Sequence, residues 1–260
     1  MKVRISSFCW QCYIDKFKNT DDQENLNKER DAYPDILVDL NDNHFYEYVC
    51  PNRHKTITRC QEHKFEILFD QATLALLDGY TKEAISTYSS ALERFYEFYI
   101  LALSLKNSVS IENYTKVWNK MAKQSERQLG AFLILQLFEG EEIKYNEKFA
   151  TLRNDVIHKG YIPKTEQAID FGEYILDLIY KTIKKLHLTM PNFFEECTFA
   201  VYSMNASKIP KKAKMVYSGG PTLIGLNKIE SGEFGNSTLR EILNDKSKHN
   251  FLRNVYYNGI

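Results

Sequence analysis

Two sets of residues in this chain have the types and spacing to do chemistry. The first opens with Cys9-Trp10-Gln11-Cys12. A Cys-x2-Cys spacing lets two thiolates, with the turn backbone between them, wrap one face of a tetrahedral zinc ion. Two stretches compete to supply the other face. Cys50-Pro51-Asn52-Arg53-His54 follows strand-like text directly, and Cys60-Gln61-Glu62-His63 offers Cys-x2-His spacing. Four ligands close a structural site, so one of these pairs is spare. A Cys-Pro turn at the end of a strand favours Cys9, Cys12, Cys50 and His54 as the ligands of a structural Zn2+. Four such ligands leave no open coordination position, which argues against a catalytic zinc.

The second set is Arg153-Asn154-Asp155-Val156-Ile157-His158, followed by Gly160 and Pro163. The helix carrying Arg153 should stop where Gly160 can turn left-handed and Pro163 forbids continuation. His158 then sits in the last turn, whose carbonyls favour a cation and so suit an imidazole that donates protons. Arg153 is five residues earlier, about 140° around an ideal helix, so the two side chains share no line and Arg153 must swing to reach a common cleft. A guanidinium beside an imidazole suits phosphate chemistry: the Arg neutralises developing charge while the His moves protons, and no metal need enter.

These residues need elements to position them. Ile36-Leu37-Val38-Asp39-Leu40, an Asn41-Asp42-Asn43 turn, and His44 to Val49 read as a hairpin in a small β module, preceded by a polar loop from Asp15 to Asp35. From Phe65 the period becomes helical, with stripes at Phe65, Leu68, Phe69, Ala72, Leu76 and at Ala84, Tyr88, Ala91, Phe95, Tyr99, broken at Asp78-Gly79-Tyr80. Further helices are expected over 110–128, 130–138, 141–158 and 165–188. After Pro191 the text is irregular, with β-like runs at 199–202 and 223–226 and a short helix near 238–243. The fold class is therefore mainly α: a bundle of about five helices over 64–190, a small β module over 1–63 and an irregular α+β extension over 191–260.

At 260 residues the chain is long enough for a substantial core, and 43% hydrophobic with 26% charged residues excludes collagen-like and wholly disordered classes. The net charge is zero, so no global positive field marks a nucleic-acid binder. The charge is uneven, however: 10 basic and 13 acidic residues in 1–70, 15 and 17 in 71–197, 9 and 4 in 198–260, or −3, −2 and +5. The 5 Cys are odd in number and crowd the first quarter, which fits reduced thiols in a cytoplasm rather than a disulfide framework. No apolar run long enough to span a membrane and no signal-like start is present, so neither a membrane partner nor export is expected. Lys208, Lys211, Lys212 and Lys214 beside Tyr217 form a basic run read equally as a phosphate grip and a solvated loop. Trp10 is expected to pack at the zinc turn, Glu93 and Arg94 to take part in solvated or intrabundle ion pairing, and Asp155 to be a helix-surface carboxylate.

Arg-Asn-x-x-x-His-x-Gly followed by Pro, set between long amphipathic helices, resembles the signature of the HEPN superfamily (higher eukaryotes and prokaryotes nucleotide-binding). That signature is Arg-x(4 to 6)-His with a polar residue often directly after the Arg, the place Asn154 holds. Upstream, Lys64 to Phe69, Asp78 to Ala84 and Leu92 to Phe98 look like the first helices of bacterial HEPN proteins preceded by a Cys-Pro-x-x-His zinc ribbon. The resemblance covers about residues 9–189. It implies a metal-independent endoribonuclease that dimerises through its bundle to line one cleft with two motifs, in a toxin or anti-phage defence role. Arg153 would bind the scissile phosphate, His158 act as general acid or base and Asn154 position the substrate, with the RNA 2′-hydroxyl as nucleophile. The implied partners are RNA, a second copy and an antitoxin or defence protein. The alternative is a non-catalytic bundle and zinc ribbon binding nucleotide, RNA or protein.

Overall fold

The structure, a computed structural model, describes residues 2–17, 33–140, 146–209 and 214–256. The chain divides into two compact units, one from residues 1–62, 205–220 and 250–260, the other from 63–204 and 221–249. The stretch 191–260, read from sequence as one extension, is thus shared between them. Most of the polar loop from Asp15 to Asp35 lies outside the described residues, as do Lys211, Lys212 and the first residues of the helix expected from Glu141.

The first unit holds strands β1 (Lys2–Ser6), β2 (Asp35–Asp39), β3 (Phe45–Val49), β4 (Lys55–Cys60) and β5 (Lys214–Ser218), with helix α1 (Trp10–Phe17) after β1. Val3 and Ile5 are buried while Lys2 and Arg4 are exposed, the period of two that a half-buried strand requires. β1 pairs antiparallel with β2, placing Ile5 opposite Ile36. In a separate sheet β4 is central, antiparallel to β3 with Tyr46 opposite Thr58, and parallel to β5 with Ile57 opposite Met215.

The expected hairpin of 36–40 with 44–49 does not form, although both segments are strands. Asn43 N–H donates to Asn41 Oδ1 at 3.0 Å, Asn41 Nδ2 donates to the Phe45 carbonyl at 3.0 Å, and His44 takes φ 56°. This Asx turn redirects the chain rather than folding it back, because tight hairpins need a turn whose twist matches the strands.

The second unit is helical: α2 (Lys64–Leu77), α3 (Thr81–Lys106), α4 (Ile111–Met121), α5 (Ser125–Phe138), α6 (Glu147–Lys159), α7 (Thr165–Thr189), α8 (Phe193–Asn205), α9 (Leu239–Asn244) and the start of α10 (Lys246–Tyr256). α3 is the axis, packing against α2, α5, α6 and α7. Its Tyr88, Phe95 and Tyr99 are buried in the core, the outcome their helical spacing predicts. The helix expected over 110–128 is two helices. Gln128 Nε2 donates to the Ala122 carbonyl at 3.0 Å and Arg127 Nη1 to the Lys120 carbonyl at 2.9 Å, so side chains from α5 satisfy the carbonyls at the end of α4. The β-like run at 199–202 lies inside α8; a short apolar run is ambiguous until its partners are known. The helix near 238–243 is α9, with Thr238 and Glu241 forming a capping box.

Two buried carboxylates of α2 organise the loop over 221–226. Glu66 accepts from Thr222 Oγ1 at 2.8 Å and Leu226 N–H at 3.2 Å, and Asp70 accepts from Leu223 N–H at 3.0 Å. Nearby, a Cβ on Gly172 of α7 would stand 2.6 Å from Leu239 Cδ2 and 2.8 Å from the Tyr88 ring. Gly172→Ala should therefore destabilise by about 1–3 kcal/mol through overpacking, although alanine improves helix propensity by about 1 kcal/mol. Thermal unfolding checks this; an unchanged or raised midpoint would show that α7 yields without cost.

Candidate metal centre and the Arg153 cavity

Cys9 precedes α1, Cys12 lies in its first turn, and Tyr13 N–H donates to the Cys9 carbonyl at 3.0 Å. A helix start therefore supplies half of the candidate site, where a turn between the two thiolates was expected. The other half is the tight turn from β3 to β4. Arg53 N–H donates to the Cys50 carbonyl at 2.8 Å and Cys50 N–H to the His54 carbonyl at 3.1 Å, with Arg53 at φ 63°. That left-handed residue brings His54 back beside Cys50.

The Sγ atoms of Cys9, Cys12 and Cys50 and the His54 ring nitrogen all lie within 4.8 Å of one another. Cys12 Sγ is 3.5 Å from Cys50 Sγ and 3.3 Å from His54 Nδ1, and Cys9 Sγ is 3.9 Å from the same nitrogen. For Zn–S near 2.3 Å and Zn–N near 2.0 Å, tetrahedral edges are roughly 3.8 Å for S–S and 3.5 Å for S–N. The group fits a metal ion of zinc's size and softness. Outer contacts are in place: Asn52 Nδ2 donates to Cys12 Sγ at 3.3 Å. Burial pushes the Cys12 thiol up to about 11, the Asn52 bond pulling against this while the Cys50 and Cys9 sulfurs add to it. Burial also raises Cys50, yet backbone N–H groups of His54 and Asn52 turned toward its sulfur, together with the neighbouring thiols, leave it below the ordinary range. Three sulfurs this close shed their protons together only when a cation replaces them.

The competing pair is not part of this group. Cys60 is a buried β4 side chain whose thiol is pushed up to about 12, first by burial and then by Glu62. His63 caps α2 in the other unit, with Nε2 3.3 Å from Thr198 Oγ1 and its ring 4.6 Å from that of Phe98. Trp10 is 42% exposed and stacks on Tyr13 at 5.5 Å.

α6 carries the second set. Its N-cap Asn146 accepts from Lys148 N–H, and its end is the expected left-handed Gly160, φ 68° and ψ 21°, with the Gly160 and Tyr161 N–H groups both donating to the Asp155 carbonyl. Gly160→Ala should cost about 1 kcal/mol, since alanine resists positive φ. Denaturant titration reads this directly; an unchanged midpoint would mean that α6 ends by another route.

Arg153 Nη2 pairs with Glu93 Oε1 of α3 at 3.0 Å, and Arg153 Nη1 donates to Asn154 Oδ1 at 3.0 Å. Glu93 and Arg94 each sit in an ion pair within the bundle: Glu93 with Arg153, and Arg94 with Glu97 at 2.7 Å, Arg94 also donating to Gln128 Oε1 at 3.2 Å. Asp155 is half-buried and pairs with Lys159 at 2.7 Å. Arg153 and Asn154 border a cavity of about 150 Å³ in the bundle, walled by Tyr96, Phe149, Phe171 and Tyr174. Residues 146, 149, 150 and 153 share one stripe of α6, the helical i, i+3, i+4, i+7 pattern, and all line it.

His158 does not. It is exposed, and no hydrogen bond or ion pair joins it to another described residue. Asn154 lies about 40° around the helix from His158, between it and Arg153. One chain therefore brings Arg153 and Asn154 together and leaves His158 on the adjoining surface. Sequence reasoning missed the cavity walls Phe149 and Tyr174, whose only signal was their helical spacing from Arg153 and Phe171. Among the described residues no helix is long and apolar enough to cross a membrane. No protein-family model, curated protein or solved structure matches this chain.

Proposed function

We propose that this chain is a metal-independent endoribonuclease of HEPN type, acting in a toxin or anti-phage defence role, with a structural zinc at Cys9, Cys12, Cys50 and His54. The observation that carries the reading is the placement of Arg153 and Asn154 on an aromatic-walled cavity, with the exposed His158 imidazole at the left-handed end of the same helix. Arg153 binds the phosphate, Asn154 orients it, and His158 transfers the proton as the RNA 2′-hydroxyl attacks and a cyclic phosphate forms. The apolar side chains around His158 suit pairing of two copies: Ile157, Tyr161 and Ile162 are 40%, 40% and 76% exposed. Pairing supplies what one chain lacks, a His facing an Arg. RNA, a second copy and an antitoxin or defence protein are the partners this reading requires.

The experiment is incubation of the purified protein with mixed RNA, with and without EDTA. Cleavage that survives the chelator and is lost in both Arg153→Ala and His158→Ala supports the enzyme. The separation of His158 from the cavity favours a second reading, a non-catalytic bundle that binds nucleotide, RNA or protein. RNA binding without cleavage under any condition would establish that one instead.

A further inference from the structure

We infer that the cavity beside Arg153 is a subsite for one unpaired nucleobase bearing an exocyclic amine, a site that selects where along a strand the phosphate is gripped. The inference rests on the ribonuclease reading only for its role in cleavage; the binding chemistry stands on the cavity itself.

Size comes first. At about 150 Å³ the space is that of a cavity that admits one small flat aromatic molecule such as a single base. Sites for larger ligands begin near 300 Å³, so a whole nucleotide does not fit. The walls come next. Phe149 and Tyr174 rings stand 4.9 Å apart at 33°, Phe149 and Phe171 5.7 Å apart at 68°, with Tyr96 and Leu92 also lining the space. Such surfaces favour a flat π-system, and base stacking on an aromatic side chain commonly contributes about 1–3 kcal/mol.

The polar groups decide the rest. Arg153, with its side chain 22% exposed, lies at the boundary between cavity and solvent, where a phosphate attached to a buried base would fall. Glu93 and Glu126 also line the space. Carboxylates accept and do not donate, so they favour base edges rich in N–H groups: guanine with adjacent N1–H and N2–H donors, then cytosine and adenine, over uracil. Asn146 accepts or donates and fits any of them. A free nucleotide and a residue of single-stranded RNA present the same chemistry here.

The test is equilibrium binding of the four nucleoside 5′-monophosphates to the full chain by calorimetry, alongside mapping of cleavage sites on unstructured RNA. GMP is expected to bind at least tenfold more tightly than UMP. Ala150→Phe, which fills the cavity from α6, should abolish GMP binding, with retained thermal unfolding showing that the fold survives. Glu126→Gln, at an exposed position, should shrink the GMP preference severalfold without loss of the fold. If the source is RNA, cleavage sites will share one amino-bearing base and Ala150→Phe will scatter them; if it is a free nucleotide, binding will follow the same order while cleavage sites stay unchanged. Equal binding of all four monophosphates, or none at millimolar concentration, overturns the inference. Cleavage that still requires Arg153 and His158 would then leave the ribonuclease reading standing. Selective GMP binding without any cleavage would do the reverse.

Discussion

Cys50→Ser should yield a protein that retains no metal through gel filtration, and one whose segment 1–62 is cut by trypsin at protease levels the parent chain resists. The parent chain should carry about one zinc per molecule, and Cys60→Ala should carry as much. The size of the effect follows from a comparison. Structural zinc binding contributes on the order of 10–16 kcal/mol in small modules, whereas whole domains are stable by only about 5–15 kcal/mol. Among the described residues the first unit has few large buried apolar and aromatic side chains, chiefly Val3, Ile5, Phe8, Tyr46, Ile57, Leu252 and Tyr256. Two short sheets of this kind cannot replace the cross-links that join a helix start to the β3–β4 turn. Lowering the pH should release the ion, because thiolate and imidazole ligands hold it only while deprotonated. Metal analysis decides between the two candidate pairs. Zinc retained in Cys50→Ser but lost in Cys60→Ala would move the site to the other pair and overturn the geometry described above.

The second large effect is on RNA. Arg153→Ala and His158→Ala are each expected to lower cleavage about 10²–10⁴-fold, the range for loss of a general acid or base or of a charge-stabilising group. One chain leaves His158 outside the cavity, so an active site with both groups must borrow one of them. Co-folding Arg153→Ala with His158→Ala chains should therefore restore activity, to roughly a quarter of the parent level if copies pair at random and each mixed dimer keeps one complete Arg–His pair. A mixture as inactive as either variant would mean that Arg153 and His158 act from the same chain or not at all. Glu93→Gln gives a finer reading. It removes the charge that holds Arg153 at 3.0 Å, so it should change the salt dependence of RNA binding more than it changes unfolding.

Much of the bundle was legible because its signals are local. The stripe from Ala84 to Tyr99 specifies one long helix whatever surrounds it, and Gly79 and Gly160 stop helices through their own backbone freedom. The strands at 36–39 and 45–49 were legible for the same reason, as β-formers with an alternating pattern. Their partners were not. β-pairing joins segments without regard to their separation in sequence, and β5 reaches β4 only after the whole bundle intervenes. Nothing within Lys214–Ser218 says that its partner begins at Lys55.

The candidate sites divide the same way. The Cys-x2-Cys spacing and the Cys-Pro-x-x-His turn each define half a metal group, because the geometry of a turn is set within a few residues. The choice of Cys50 and His54 over Cys60 and His63 was decided by tertiary structure. Strand β4 directs Cys60 inward, and α2 begins at Lys64 and takes His63 as its cap. Likewise the sequence places Arg153, Asn154 and His158 on one helix and ends it at Gly160. Only packing determined that Arg153 finds Glu93 sixty residues away, that four rings enclose a space beside it, and that His158 is left outside. Those outcomes depend on which helix faces are buried against each other, a sum over many weak contacts that no single stretch of sequence contains.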